Sequence, residues 1–282
     1  MNECTEQMAD FQRLASEDRA FLDAYLPNAD ASNRSLSTYS FPRPFVTLTY
    51  ACSLDSMISL APGVQTTLSG PETKSMTHYL RRHHDAILVG VGTAIADDPS
   101  LNCRYPGVNM LSQPRPVIVD PNARWNISNS KVVTLAKNER GKIPWVVHSS
   151  QTEAAINSPS SDYERVLIDG PRTEHGTSMT ENPTSSLPKL KWISLLRTLK
   201  ERGIHSVMIE GGATIINELL SQPHIVDSVI VTIAPTWLGA GGVQVSPVSR
   251  TQQGKQVNAA RLANTHWRQF GSDVVLCGTF GG

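Results

Sequence analysis

Apolar residues fall in short runs between polar turns, and the runs follow two periods. FVTLTYA at 45–51 alternates Val46, Leu48 and Tyr50 with Thr47 and Thr49, the period of a strand. AILVGV at 86–91 is continuously apolar, the form of a strand buried on both faces. PVIVD at 116–120, PWVVH at 144–148, Val166–Asp169, Ser206–Ile209, the long run Val226–Ala234 and DVVLCGTF at 273–280 are further strand candidates. Helical periods lie between them. Phe11, Leu14, Leu22 and Tyr25 recur loosely until Pro27. Ser69-Gly-Pro-Glu72 reads as a capping box that starts a helix through Thr77, Leu80 and Arg81 to about His84. Trp192, Leu195, Leu196 and Leu199 follow i, i+3, i+4, i+7, with Gly203 as the stop.

Strands and helices interleave, which predicts an α/β fold with one main sheet. Residues 1–40 read as an N-terminal helix and a polar linker, and 41–282 as the folded domain. Within that domain 170–189, rich in Ser, Thr, Pro and Glu, reads as a surface insertion.

Composition narrows the function. The 282 residues carry no net charge and no basic block, so nothing argues for nucleic acid as a partner. No apolar run approaches the ~18 residues that span a bilayer, and no targeting segment is evident, so a cytoplasmic protein is expected. Four scattered cysteines without C-x-x-C fit a reducing compartment.

The most informative stretch is Val207-Met-Ile-Glu-Gly-Gly-Ala-Thr-Ile-Ile216, a strand, a Gly-Gly turn and a helix start. Glycine lets backbone N–H groups approach a ligand, and the helix N-terminus suits a phosphate, although the segment is not G-x-G-x-x-G. Polar residues also follow three other strands, in Ala51–Ser56, in Gly92–Pro99 with Ser100–Arg104, and at Asp120. Ligands of α/β sheets collect at such strand ends. Asp97-Asp98-Pro99 equally fits a turn or cap, and Thr93 a helix N-cap. His78, His83 and His84 lack metal-ligand spacing, so no metal site is expected, and His83-His84 reads as decoration of a helix end. There is no G-x-S-x-G elbow and no deaminase zinc signature.

Taken in order, Thr47–Asp55, Ser69–Thr73, His78–Arg81, Asp85–Thr93, Ala96–Arg104, Arg115–Asp120 and Ile209–Ala213 closely resemble the riboflavin-biosynthesis reductase family, over roughly residues 40 to 280. The resemblance implies a dihydrofolate-reductase-like single domain, a mostly parallel twisted sheet flanked by helices, working as a homodimer. It implies reduction of the ribosylamino group of a pyrimidine phosphate to a ribitylamino group with NADPH. Gly211, Gly212, Ala213, Thr214, Ile215 and Ile216 would cradle the coenzyme pyrophosphate. Thr93 and Asp97 would supply a second contact, Ala51 a backbone contact to the nicotinamide, and Val166 would lie near the adenine. Arg81, Leu101 and Arg104 match substrate-binding positions, with Arg104 on the 5′-phosphate. A carboxylate would stabilise the charged imine, and Glu210 and Asp55 are the candidates, between which the sequence does not choose.

The residues leave NADH open beside NADPH, because no arginine for a 2′-phosphate is identifiable. They also leave open another reductase of the same fold, of the dihydrofolate-reductase type, or a non-catalytic NADPH-binding paralogue. Where the family often has Ser-Leu-Asp-Gly, this chain has Ser56, so a turn with positive φ there would be strained.

Overall fold

Nine strands pair into one sheet, and period-two alternation decides which side chains face which layer. The computed structural model describes residues 11–27, 42–150, 152, 161–168, 192–249, 251–252, 255–256 and 259–281. The linker at 28–40 and the expected insertion at 170–189 lie outside the described residues. The strands are β1 (Phe45–Cys52), β2 (Met57–Ser59), β3 (Ala86–Gly90), β4 (Arg115–Val119), β5 (Trp145–Ser149), β6 (Glu164–Ile168), β7 (Ser206–Gly211), β8 (Ser228–Ile233), β9 (Val243–Gln244), β10 (Thr251–Gln252), β11 (Lys255–Gln256), β12 (Leu262–Phe270) and β13 (Asp273–Phe280). The helices are α1 (Ser16–Asp23), α2 (Pro71–Arg82), α3 (Val91–Asp97), α4 (Lys131–Lys137), α5 (Trp192–Glu201) and α6 (Ala213–Ser221).

The large sheet runs β12-β13-β8-β1-β7-β3-β4-β5-β6. The seven strands from β8 to β6 are mutually parallel, and β13 joins β8 antiparallel. This is the one main sheet that the interleaved pattern predicts, in the mostly parallel, helix-flanked form that the resemblance implies. Val207 and Ile209 of β7 point into the layer of α5 and α6, with Trp192, Leu196, Ile216 and Leu219. Met208 points the other way, against Met76, Tyr79 and Leu80 of α2 and Leu22 of α1. Further along that second face, Ile87, Val89 and Ile118 pack on Val91 and Ala94 of α3 and Val132 and Val133 of α4. Each such side chain taken out of water contributes about 1.5–3 kcal/mol.

Two expectations are corrected, and two further features emerge. The cap of α2 is not the Ser69/Glu72 box. Pro71 takes the first helical position, so the cap falls on Gly70, and Asp273 of β13 accepts hydrogen bonds from Gly70 N–H (2.9 Å) and Thr73 Oγ1 (2.6 Å). His84 does not decorate a helix end. It is buried, bonded through Nδ1 to the Leu80 carbonyl and through Nε2 to Thr47 Oγ1, and burial pulls its pKa down to about 4. Strand β12 escapes the pattern because it is a sheet edge with most side chains exposed. Finally, β8 sits between β1 and β13, so the apolar run Val226–Ala234 builds the core and supplies no dimer surface.

Strands β1, β7 and β3 are adjacent and parallel, so the loops after Cys52, Gly211 and Gly90 leave the same edge of the sheet. Ser56, in the turn after β1, has φ +62°, the left-handed conformation expected there. Among the described residues no helix is long and apolar enough to cross a membrane.

Candidate active site

A cavity of about 470 Å³ opens at that edge. Its walls come from three strand ends. Gly90 and α3 supply Gly92, Thr93 and Asp97, the Gly-Gly turn and α6 supply Gly212, Ala213, Thr214 and Ile215, and the loop after β4 supplies Pro121, Asn122 and Arg124. Ser59 and Val243 of the small β2–β9 ribbon close one side.

Glycine is required at the turn. Gly211 has φ +108°, and a Cβ there would lie 2.8 Å from Ile216 Cδ1. A Cβ on Gly212 would lie 2.9 Å from Thr93 Oγ1, across the floor of the cavity. The Gly211–Gly212 peptide is cis. Gly212 is the N-cap of α6, and no side chain among the described residues caps that helix. The Gly212 carbonyl receives the Ile216 N–H, so the N–H groups of Ala213, Thr214 and Ile215 precede the first intrahelical bond and open on the cavity with the positive end of the helix dipole. The residues therefore fit a pyrophosphate: bare backbone, unpaired donors and no Cβ in the way. Burial raises the pKa of Asp97 on the same wall. Its neighbour Asp98 ends α3 with φ +40° and caps α4 by accepting from Lys131 N–H at 2.9 Å.

A second group of residues gathers on the α2 side of β7. Glu210 and Arg81 form a two-pronged ion pair, Nε to Oε1 at 2.7 Å and Nη2 to Oε2 at 2.8 Å. Arg81 Nη1 donates to the Asn102 carbonyl at 2.9 Å. Burial works against the Arg81 charge, but Glu210 outweighs it and the guanidinium pKa rises. The pair is nearly enclosed, with side chains 11% and 18% exposed. Two residues along from Asn102, Arg104 donates its backbone N–H to His78 Nδ1 at 3.0 Å, and its guanidinium lies 4.9 Å from the Phe11 ring. His78 is buried among Phe11, Arg81 and Arg104, and burial, then the two positive charges, push its pKa down to about 2. Arg104, with Tyr105, Gln113 and Arg140, lines a separate cavity of about 330 Å³.

The structure thus divides the expected site residues. Thr93, Asp97, Gly212, Ala213, Thr214 and Ile215 line one cavity, with Gly211 and Ile216 packed directly behind it. Arg81, Glu210 and Arg104 gather on the α2 side of β7 and do not line that cavity. Leu101, with φ +47°, is buried in the cluster under α3 and α4. Ala51 lies half-buried on β1, beside Thr232 of β8, and is not among the cavity-lining residues. Val166 is fully buried in the core of β6, three strands beyond β3. Asp55 accepts hydrogen bonds from Ser53 Oγ, Leu238 N–H and Gly239 N–H. The Ser53 bond leads in lowering its pKa, so Asp55 stays ionised and ties the turn after β1 to the 238–239 loop. Sequence reading missed Ser59, Asn122, Arg124 and Val243, which reach the cavity from elements that carry no motif.

The chain from 44 to 276 matches the model of the RibD C-terminal domain. It is 43% identical to the 2,5-diamino-6-ribosylamino-4(3H)-pyrimidinone 5′-phosphate reductase of Saccharomyces cerevisiae over 258 residues, 91% of this chain and 93% of the relative. The reductase of the same name from Debaryomyces hansenii is 40% identical over 92% of this chain and 94% of its own length. The solved structure of riboflavin biosynthesis reductase Rib7 from Saccharomyces cerevisiae superposes with a TM-score of 0.71 at 38% identity, covering 94% of this chain and all of that one.

Proposed function

This chain belongs to the RibD C-terminal domain family, and on that premise we propose that it is the oxidoreductase that converts 2,5-diamino-6-ribosylamino-4(3H)-pyrimidinone 5′-phosphate to its ribitylamino form, with NADPH as reductant, in riboflavin biosynthesis. The observation that carries the reading is the Gly211-Gly212 turn, which offers the uncapped start of α6 to a cavity facing Thr93.

When bound, the nicotinamide coenzyme supplies the hydride that the pyrimidine's sugar carbon accepts. The Ala213, Thr214 and Ile215 N–H groups would hold its pyrophosphate. Thr93 and Asp97 would face it from the other wall, and the Ala51 backbone, on the strand beside β7, would contact the nicotinamide. Across β7, Arg104 takes the substrate 5′-phosphate, for which a guanidinium fork is suited. Glu210, fixed at both oxygens by Arg81, places negative charge where the opened ribosylamine carries positive charge, and so lowers the energy of the charged species. Each Glu210 oxygen keeps a lone pair beyond its bond to Arg81. Asp55, already accepting three hydrogen bonds, is fitted to hold the turn rather than to give up a proton.

The thiols of Cys52, Cys103 and Cys277 are free and buried, which suits a reducing compartment such as the cytoplasm. The expected homodimer needs a surface other than β8. The exposed edge strand β12, with Trp267 59% exposed, supplies one.

Incubating the protein with NADPH and the pyrimidine phosphate tests the reading. The expected result is coenzyme oxidation matched by a product two hydrogens heavier. Turnover of dihydrofolate instead favours a different reductase, and coenzyme binding without oxidation favours a non-catalytic paralogue.

A further inference from the structure

We propose that Phe11 is a positioning residue for the substrate: its ring fixes the Arg104 guanidinium where that group receives the 5′-phosphate. The assignment rests on the proposed role of Arg104 and extends it to a residue outside the matched domain, 44–276.

The backbone on either side of Arg104 is held by side chains. The Asn102 carbonyl accepts from Arg81 Nη1 at 2.9 Å, Gln113 bonds both the N–H and the carbonyl of Cys103 at 2.8 Å, and Arg104 N–H donates to His78 Nδ1 at 3.0 Å. These bonds place Cα. They leave the rotatable bonds between Cα and the guanidinium to be set by what the head touches. An arginine that is free to rotate loses that freedom when it grips a ligand, and the loss weakens binding.

Two rings meet at that head. Phe11 stacks on His78, with ring centroids 4.0 Å apart and planes inclined by 34°, and the Arg104 guanidinium carbon lies 4.9 Å from the Phe11 centroid. That distance is within the range of a cation–π contact. His78 Nε2 lies 3.4 Å from Arg104 Nη2. Burial and the charges of Arg81 and Arg104 keep the imidazole neutral. Its Nδ1 accepts the Arg104 N–H, so its one proton is on Nε2, and Nε2 cannot also accept from the guanidinium. His78 therefore grips the Arg104 backbone, and the Phe11 face meets the head. Arg104 lines the 330 Å³ cavity while Phe11 and His78 do not, so the two rings back the guanidinium and leave its fork to the cavity.

The segment that carries Phe11 is anchored along its length. Leu14 N–H donates to Oη of Tyr105, the residue after Arg104, at 3.1 Å. Leu22 of α1 is fully buried with Met76 and Leu80 of α2, and Asp23 accepts from Tyr79 Oη at 2.5 Å. Asp18 accepts from Arg268 Nε at 2.5 Å, which ties α1 to the edge strand β12. Phe11 is thus delivered to Arg104 by a segment docked on α2 and β12, and is itself half-buried. A guanidinium placed in advance takes up a phosphate without the ordering cost. The phosphate takes no part in hydride transfer, so the benefit falls on KM rather than on kcat.

The test measures steady-state kinetics of the full chain carrying Phe11→Leu, Phe11→Tyr, Arg104→Ala, or Phe11→Leu together with Arg104→Ala. Leucine keeps the apolar bulk and removes the ring, whereas tyrosine keeps the ring. Phe11→Leu is expected to raise KM for the pyrimidine phosphate about 3- to 10-fold, with kcat and the coenzyme KM within about twofold of wild type. Phe11→Tyr is expected to keep the wild-type KM. In the Arg104→Ala background Phe11→Leu should add nothing, because it acts through the guanidinium. An unchanged KM in Phe11→Leu, where Arg104→Ala raises it, overturns the assignment alone. So does a rise of the same size in the Arg104→Ala background, or a Phe11→Tyr enzyme no better than Phe11→Leu, since either makes Phe11 a packing residue only. A wild-type KM in Arg104→Ala overturns the proposed role of Arg104 together with this assignment. Wild-type protein that does not turn the pyrimidine phosphate over overturns the proposed function itself.

Discussion

Arg81 of α2 grips both carboxylate oxygens of Glu210, the residue that precedes the Gly-Gly turn on β7. The pair ties the second face of the sheet to the strand end that carries the Gly-Gly turn. Removing Arg81 leaves a carboxylate with little access to water, which costs about 3 kcal/mol or more. Arg81→Ala is therefore expected to lower the denaturant midpoint markedly. Glu210→Gln keeps the shape and part of the hydrogen bonding. It should lower kcat on the pyrimidine phosphate by about tenfold or more, with coenzyme affinity unchanged. Steady-state kinetics beside nucleotide titration checks this. A Glu210→Gln enzyme with wild-type kcat removes the carboxylate from the chemistry.

Gly212→Val tests the cradle. Its Cβ would sit 2.9 Å from Thr93 Oγ1, and its branches would fill the space offered to the pyrophosphate. The expected outcome is loss of coenzyme binding with the far-ultraviolet spectrum retained, because Gly212 caps α6 from an extended conformation, φ −63° and ψ −166°, open to any residue. Unaltered nucleotide titration refutes the cradle.

Arg104→Ala is expected to raise KM for the pyrimidine phosphate by about tenfold or more, the loss of one charge-assisted contact of about 1.5–3 kcal/mol. KM for the coenzyme should not move, since Arg104 lines a different cavity from the one under α6. A coenzyme effect of equal size contradicts this division.

Stability should depend on pH through the buried histidines. Burial pulls the pKa of His84 from 6.5 to about 4, and burial with Arg81 and Arg104 pulls that of His78 to about 2. Both bind protons more weakly folded than unfolded. Their contribution is complete above pH 6.5 and is lost as pH falls, through about pH 4 for His84 and about pH 2 for His78. Each costs about 1.4 kcal/mol per pH unit while only the unfolded chain is protonated. Urea unfolding at pH values on either side of the unfolded histidine pKa measures the slope. His84→Gln is expected to reduce it by the share of one proton, and an unchanged slope contradicts the assignment.

The sheet was legible because its inner strands are short, apolar and separated by turn residues. The boundaries of β13 fall where the pattern puts them. The edge strand β12 was not, because Thr265, His266 and Trp267 are all exposed and no alternation marks a buried face. The Gly-Gly turn announced itself through residue type, since only glycine fits Gly211 at φ +108°. The pairing of Arg81 with Glu210 did not, because the two are far apart in sequence and meet only when α2 packs on β7. Arg124 was invisible for a related reason: an exposed arginine in a polar loop resembles any other until the strand order sets it beside the cavity.

The most direct measurement follows the hydride. With NADPH deuterated at the transferable position of the nicotinamide, the ribitylamino product should carry one deuterium on the sugar carbon bonded to nitrogen, in proportion to coenzyme oxidised. Product without deuterium, or coenzyme oxidised with no labelled product, contradicts the account.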